Sequence, residues 1–304
     1  MTAHADAAGW HFRPTTSADR AGLIAFFEAL PEADRRLRFF GPSDVADHVD
    51  RWLSITDAVS IVAVEPPDAP GTDGPDGEAA GHDAADGEVA DPGPRILAEG
   101  GFVERGEGMA EFALSVAADA RGGLGTAMFE RLRREAATRG IPMLYGDVLA
   151  TNGPMMGLMR RLGGVTIERP EPQVVGIVIG SATGAPPWPD RSRPRLLIEA
   201  TSASWSGEQR LRAAGIDVAI CAGPSARRAS APCPELTGEG CPLVDDADLV
   251  VHLLDADRPE HRRLAERLGA RHEPERILLR GAGPGRPTTA DIERRLGART
   301  GCCG

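Results

Sequence analysis

A chain of 304 residues has room for two ordinary domains, and at 41% hydrophobic composition each can bury a core. No apolar run reaches the roughly 18–20 residues that span a bilayer, and residues 1–9 lack the basic start and apolar stretch of a secretory signal, so the sequence reads as soluble and cytoplasmic, with no membrane partner. The formal net charge of −11 gives no reason to expect nucleic acid as a partner, and residues 66–94 account for most of it, with eight acidic and no basic side chains.

In chain order, residues 18–29 read as a helix and 43–54 as a second, opened by Ser43-Asp44 as an N-cap. Residues 59–64 (Val-Ser-Ile-Val-Ala-Val) read as a strand. The acidic stretch 66–94 is rich in Pro, Gly and Ala; it cannot bury enough apolar surface to offset ordering and reads as a disordered insertion between strands. Strands follow at 96–103 and 109–116, then a helix at about 123–138. A strand at 142–149, a helix at 153–162 and strands at 164–168 and 173–179 complete a mixed α/β pattern with a mostly antiparallel central sheet and flanking helices. Trp10, Phe12, Phe26 and Phe27 are assigned to the core; Phe39 and Phe40 belong to the core or to an acceptor side.

Residues 181–193 (SATGAPPWPDRSR) read as a Pro-rich linker. Beyond it, strands at 195–200, 216–221, 248–254 and 276–280 alternate with helices at 207–214, 258–269 and 288–296. That alternation predicts a small parallel α/β domain, flavodoxin-like in class. The expected division is thus 9–180, a linker at 181–193, and 194–304.

The chemistry concentrates in residues 110–132. Ala110, Phe112, Leu114 and Val116 point to one side of a strand, and Glu111, Ala113 and Ser115 to the other. Leu124, Met128, Leu132 and Ala136 form a helical core stripe, with Glu130, Arg131, Arg133, Arg134 and Glu135 on the opposite face. Between strand and helix lies Arg121-Gly122-Gly123-Leu124-Gly125-Thr126. The first-turn N–H groups of a helix have no internal acceptor, the helix dipole favours negative charge there, and glycines let backbone approach a pyrophosphate closely.

After that helix come strand Met143–Ala150 and Thr151-Asn152-Gly-Pro-Met-Met-Gly-Leu-Met-Arg-Arg-Leu-Gly163, with the sole Asn of the chain. This order resembles the GNAT acetyltransferases over residues 10–180. Arg36-Leu-Arg-Phe-Phe-Gly-Pro42, Ala110-Glu111-Phe112 and Val148-Leu-Ala-Thr-Asn152 with Met155 are similar to the Pat-type protein lysine acetyltransferases. The resemblance implies acetyl-CoA as acyl donor, its pyrophosphate at residues 121–126, its thioester carbonyl held by a backbone N–H near Leu114 to Val116, and Asn152 at the cofactor site. It implies Glu111 as the general base, since a lysine with pKa near 10.4 must lose a proton before it attacks. The acceptor it implies is a protein lysine or a small amine. Two departures stand out. The loop is one residue short, so that either Arg121-Gly122 keeps the usual start or Ala120 takes the basic position. Where many members carry a Tyr general acid, this chain has Met159; Tyr145 lies on the preceding strand. A degenerate domain that binds acyl-CoA and serves as a sensing or scaffold module is the alternative from another class.

Cys221, Cys233, Cys241, Cys302 and Cys303 all lie in the last third, without zinc-ligand spacing. They read as reduced thiols with no metal, with metal or redox sensing as the alternative. Thr201–Gly207 reads as a capped turn or an anion loop. The resemblance to Pat-type enzymes, which are often fused to sensing domains, implies that residues 194–304 regulate the transferase.

Overall fold

The computed structural model describes residues 4–5, 9–65, 94–168, 170–181, 185–188, 192–201, 205, 207–279 and 287–300. The acidic insertion expected at 66–94 falls outside these apart from Pro94, as do Cys302, Cys303 and parts of 181–193 and 201–207. The architecture is mixed α/β, with a large, mostly antiparallel sheet and flanking helices. The chain divides into two compact units, one of residues 1–103 and 113–132 and the other of residues 104–112 and 133–304.

The first unit contains β1 (His4–Ala5), β2 (His11–Pro14), α1 (Arg20–Ala29), α2 (Glu32–Phe39), α3 (Val45–Ser54), β3 (Val59–Val64) and most of β4 (Ile96–Gly106). It also holds the second half of β5 (Met109–Val116) and the start of α4 (Leu124–Thr138). Strands β1 to β4 pair antiparallel in chain order. Its core sets Leu23, Phe26 and Phe27 of α1 and Val49 of α3 against Val62, Val64 and Ile96. Asp44 caps α3 as the sequence suggests, its Oδ1 accepting the Asp47 N–H at 3.0 Å. The sequence reading missed α2. This helix buries no residue, so it has no apolar stripe to detect. It is favoured instead by Glu32 and Asp34 in its first turn and Arg36 and Arg38 in its last. It ends at Phe40, left-handed at φ 62° and 46% exposed, which settles this ring outside the core.

The second unit holds the first half of β5, the end of α4, β6 (Met143–Leu149), α5 (Gly153–Leu162), β7 (Val165–Glu168) and β8 (Val174–Gly180). It continues with β9 (Arg195–Glu199), α6 (Glu208–Ala213), β10 (Asp217–Cys221), α7 (Pro234–Thr237), α8 (Pro242–Asp245), β11 (Leu249–His252), α9 (Pro259–Arg271), β12 (Ile277–Leu279) and α10 (Thr289–Thr300). Its strand order is β5-β6-β8-β7-β10-β9-β11-β12. The last four are parallel to one another, and β10 meets β7 antiparallel at Ile220 and Thr166.

Alternation of side chains explains this last segment. Leu197, Ala219 and Val250 face a core shared with Leu264 and Leu268 of α9, while Leu196, Ile198, Val218 and Val251 face Leu211 of α6 and Ile292 and Leu296 of α10. Ala185 and Trp188, in the stretch read as a linker, are buried in the first of these cores, and the Trp188 indole donates to the Leu243 carbonyl at 3.0 Å. The stripe Leu124, Met128, Leu132 and Ala136 is fully buried, as its spacing predicts. Arg133 corrects the reading of the opposite face: it is 6% exposed because its Nε donates to the Gly180 carbonyl at 2.8 Å, at the end of β8. Among the described residues no helix is long and apolar enough to cross a membrane.

Candidate active site

Strand β5 carries the candidate base. It pairs in parallel with β6 only over Met109–Glu111 and Met143–Tyr145, although β5 continues to Val116 and β6 to Leu149. The ladder stops where the Phe112 ring lies over Gly146: a Cβ there would sit 2.7 Å from the ring. Gly146→Ala therefore has to push the ring aside and should cost about 1–3 kcal/mol of stability, read as a lower urea midpoint at unchanged slope.

Glu111, the last β5 residue in that ladder, has a side chain 42% exposed. Arg105 donates to its Oε2 from Nε at 2.8 Å and pairs from Nη2 at 2.6 Å. Both contacts fall on the same oxygen, Oε2. The hairpin turn Glu107-Gly108, left-handed at both residues, brings these opposite charges together. Charges flanking a Gly-Glu-Gly turn were the sequence signal for Arg105, and it went unread.

Tyr145 stands in register with Glu111 on β6. Its hydroxyl donates to Asp147 Oδ1 at 2.5 Å. Burial, then hydrogen bonding to Asp147 and Glu168, pushes the phenol well above its usual range. Met159 is 1% exposed and belongs to the core under α5. Asn152 is the N-cap of α5, its Oδ1 accepting the Met155 N–H at 3.1 Å. Pro154 near the start and a left-handed Gly163 at the end complete a well-terminated helix.

The remaining candidates belong to the first unit. Leu114 is buried and Val116 half-buried on β5. A turn of 3-10 helix, Ala118–Ala120, leads to Arg121, whose guanidinium is tied to Asp34 of α2 at 2.5 Å. Gly122 and Gly123 both hold φ 129°, a backbone that L side chains rarely adopt. Around Gly122 a Cβ would meet nothing within 4 Å, whereas at Gly123 it would lie 3.2 Å from the Trp10 ring. The first helical bonds are donated by Thr126 and Ala127 to the Gly123 carbonyl, at 2.9 and 3.0 Å. The amides of Leu124 and Gly125 come before them and have no acceptor inside the helix. Leu124 is fully buried and Thr126 half-buried, so the loop is pinned by its own first helical residue. An open cavity of 550 Å³ adjoins it, between α1, Ile96 and Ala117–Asp119.

A buried polar cluster in the same unit went unforeseen. Glu99 on β4 is fully buried, and neither of its oxygens has a hydrogen-bond partner among the described residues. Arg38 of α2 approaches it at 3.6 Å and lies over the Phe27 and Phe39 rings at 5.8 and 5.5 Å. Burial pushes the Glu99 carboxyl up, and Arg38 only partly offsets this. His48 packs edge-on against Phe27 and Phe39, and burial, with Arg38 and Arg51 nearby, holds it down to about 4.

Cys221, Cys233 and Cys241 share one hydrophobic core. Burial, then electrostatic repulsion from the neighbouring Cys221, pushes the Cys233 thiol up to about 11 and the Cys241 thiol up to about 12, which keeps both protonated and unreactive. Among the described residues no three His, Cys, Asp or Glu side chains are placed to hold a metal ion.

No protein-family model matches the chain, and no curated protein matches its sequence. Solved structures do match in fold. The GNAT domain of S. lividans PAT is 22% identical, with 59% of this chain and 96% of that chain covered at a TM-score of 0.46. A cAMP-binding acyltransferase from Mycobacterium smegmatis is 19% identical at a TM-score of 0.36, over 60% of this chain and 47% of that one, so the match spans about half of that protein. The ribosomal-protein-S18-alanine N-acetyltransferase from Escherichia coli is 15% identical over 56% of this chain and 93% of that chain, at a TM-score of 0.39.

Proposed function

We propose that the chain is a GNAT-type N-acyltransferase that moves an acetyl group from acetyl-CoA to an amine, with a protein lysine, as in Pat-type enzymes, the favoured acceptor. The observation that carries this reading is the succession on β5 and α4. A carboxylate sits at the last paired position of a strand whose ladder then stops, followed by two glycines at φ 129° and a helix N-terminus. In this reading the amides from Gly122 to Gly125 and the hydroxyl of Thr126 receive the pyrophosphate, joined by Arg121 once it leaves Asp34. Backbone groups near Leu114 to Val116, unused by β6, hold the thioester carbonyl, and they strengthen as charge develops on its oxygen. The Asn152 amide lines the donor site.

Glu111 accepts the proton of the attacking amine, directly or through water. The C–N bond forms as the C–S bond breaks, and the thiolate leaves as CoA. With Met159 in the place of a phenolic acid and the Tyr145 phenol held well above its usual range, the thiolate takes its proton from solvent. Residues 194–304, a parallel sheet with helices on both faces, act as a flavodoxin-like regulatory module.

Incubation of the full chain with acetyl-CoA and lysine peptides, α-amine peptides and small amines, with CoA release and acetylated product followed together, tests the assignment. Stoichiometric release with one acceptor class supports it. Release without product is hydrolysis and counts against it. The glycines give a second check. Gly123→Val puts a β-branched residue at φ 129° against Trp10 and should weaken acetyl-CoA binding on the order of tenfold, since strain of about 1–3 kcal/mol falls at the loop.

One observation favours the alternative of a non-catalytic acyl-CoA-binding or scaffold module. Glu111 and Arg121 are both engaged in ion pairs, with Arg105 and Asp34. Binding of acetyl-CoA without turnover of any amine would select it.

A further inference from the structure

A second reactive pair lies outside the residues discussed so far, at the carboxyl edge of the parallel strands. Gly223, at φ 75°, turns the chain sharply after β10 into a short 3-10 turn, Pro224–Ala226, that packs against α9. There the Ser225 Oγ lies 2.7 Å from His261 Nε2. The other ring nitrogen, Nδ1, lies 3.1 Å from the backbone carbonyl of Asp255. A carbonyl can only accept, so Nδ1 carries the ring proton and Nε2 presents its lone pair. The Ser225 hydroxyl is therefore the donor, aimed at a base that is already oriented. His261 is fully buried, while Ser225 is half-buried and reachable from solvent.

The location is one that open parallel sheets use for ligands. β9 has β10 on one side and β11 on the other, and the loops after those two strands supply Ser225 and Asp255. The dyad thus bridges the point where strand order reverses, outside the carboxyl ends of the strands. His261 also sits in the first turn of the 13-residue α9, whose N-terminal field favours negative charge developing nearby.

We propose that Ser225 is a nucleophile activated by His261, and that it takes acyl groups from activated esters. The Oγ attacks the acyl carbon, its proton passes to Nε2, and the bond to the leaving group breaks as that group departs. Nε2 passes that proton to the departing group or to solvent; water then attacks the acyl-serine and gives a proton to Nε2, which returns it to the Ser225 oxygen as the acyl C–O bond breaks and the carboxylic acid leaves. Asp255 contributes a carbonyl and not a carboxylate, so the imidazolium is less stabilised than in a full triad. That restricts the site to leaving groups that need little protonation, such as phenolates and thiolates.

The test uses the full chain with p-nitrophenyl acetate, following p-nitrophenolate release and mapping acetylated peptides by mass spectrometry. The expected result is acetyl-Ser225 in the wild-type protein. Ser225→Ala should lower the release rate on the order of a hundredfold, and Ser230→Ala, an exposed serine in the same loop, should leave it unchanged. His261→Gln should match Ser225→Ala; because His261 is buried, that comparison is restricted to protein with wild-type circular dichroism. Acetylation confined to cysteines, or equal release by wild-type protein and Ser225→Ala, would overturn the proposal. The assay holds neither acetyl-CoA nor an acceptor amine, so its result stands apart from the acyl-transfer reading.

Discussion

Glu111→Gln should lower kcat for amine acetylation by about 10²- to 10⁴-fold, with acetyl-CoA affinity unchanged. Gln keeps the shape and the hydrogen-bonding reach of Glu but cannot take a proton at neutral pH. The deficit has a pH signature. Lysine is almost wholly protonated at pH 7 and needs the base; near its own pKa of about 10.4 it supplies free amine unaided. The ratio of wild-type to variant rates should therefore shrink as pH rises toward 10. Arg105 sharpens the test. Its two contacts fall on Oε2, so Arg105→Ala frees that oxygen without removing the base and should retain turnover. A Glu111→Gln enzyme with wild-type kcat, or one that loses acetyl-CoA binding in step with rate, would remove Glu111 from the role of base.

Arg38→Met should cost about 3–5 kcal/mol of stability near neutral pH, the usual penalty for leaving a buried charge without its partner. Glu99→Gln should do the opposite. The Glu99 carboxyl is fully buried, unpaired by any hydrogen bond among the described residues and pushed above its ordinary value. The native state therefore keeps that proton at pH values where the unfolded chain has released it, and stability falls as pH rises above the ordinary Glu value of about 4.3. Glu99→Gln should raise the urea midpoint at pH 7–8, with the gain vanishing toward pH 4. The Arg38→Met penalty should shrink over the same range, and the double variant should recover most of it. A Glu99→Gln protein less stable than wild type at pH 8 would show that the charge is stabilising in place.

Most of this fold was legible because each long element carries a strong period. Leu124, Met128, Leu132 and Ala136 announced α4, and the alternation through residues 195–200 and 216–221 announced β9 and β10. The strand, glycine turn and helix around residues 110–126 were readable for the same reason, and the Ser43-Asp44 cap located α3. The elements that escaped have no such signal. Helix α2 buries nothing and lives on end charges, and β2 is four residues long. Arg133 was misplaced because helical spacing alone does not reveal that a carbonyl at Gly180 waits for its guanidinium. Partners distant in sequence were equally invisible. Asp34 is 87 residues from Arg121 and Ser225 is 36 from His261, and only the folded chain joins them. Asn152 shows the converse: the sequence marks it through its uniqueness, while the structure gives its side-chain oxygen the task of capping α5.

The central claim is that the loop at residues 121–126 receives the pyrophosphate of an acyl-CoA. Calorimetric titration of the full chain with acetyl-CoA, with CoA and dephospho-CoA alongside, tests it most directly. One site with micromolar affinity is expected, shared by all three ligands because each carries the pyrophosphate, and weakened by Gly123→Val. Absence of binding at millimolar acetyl-CoA by a folded protein would contradict it.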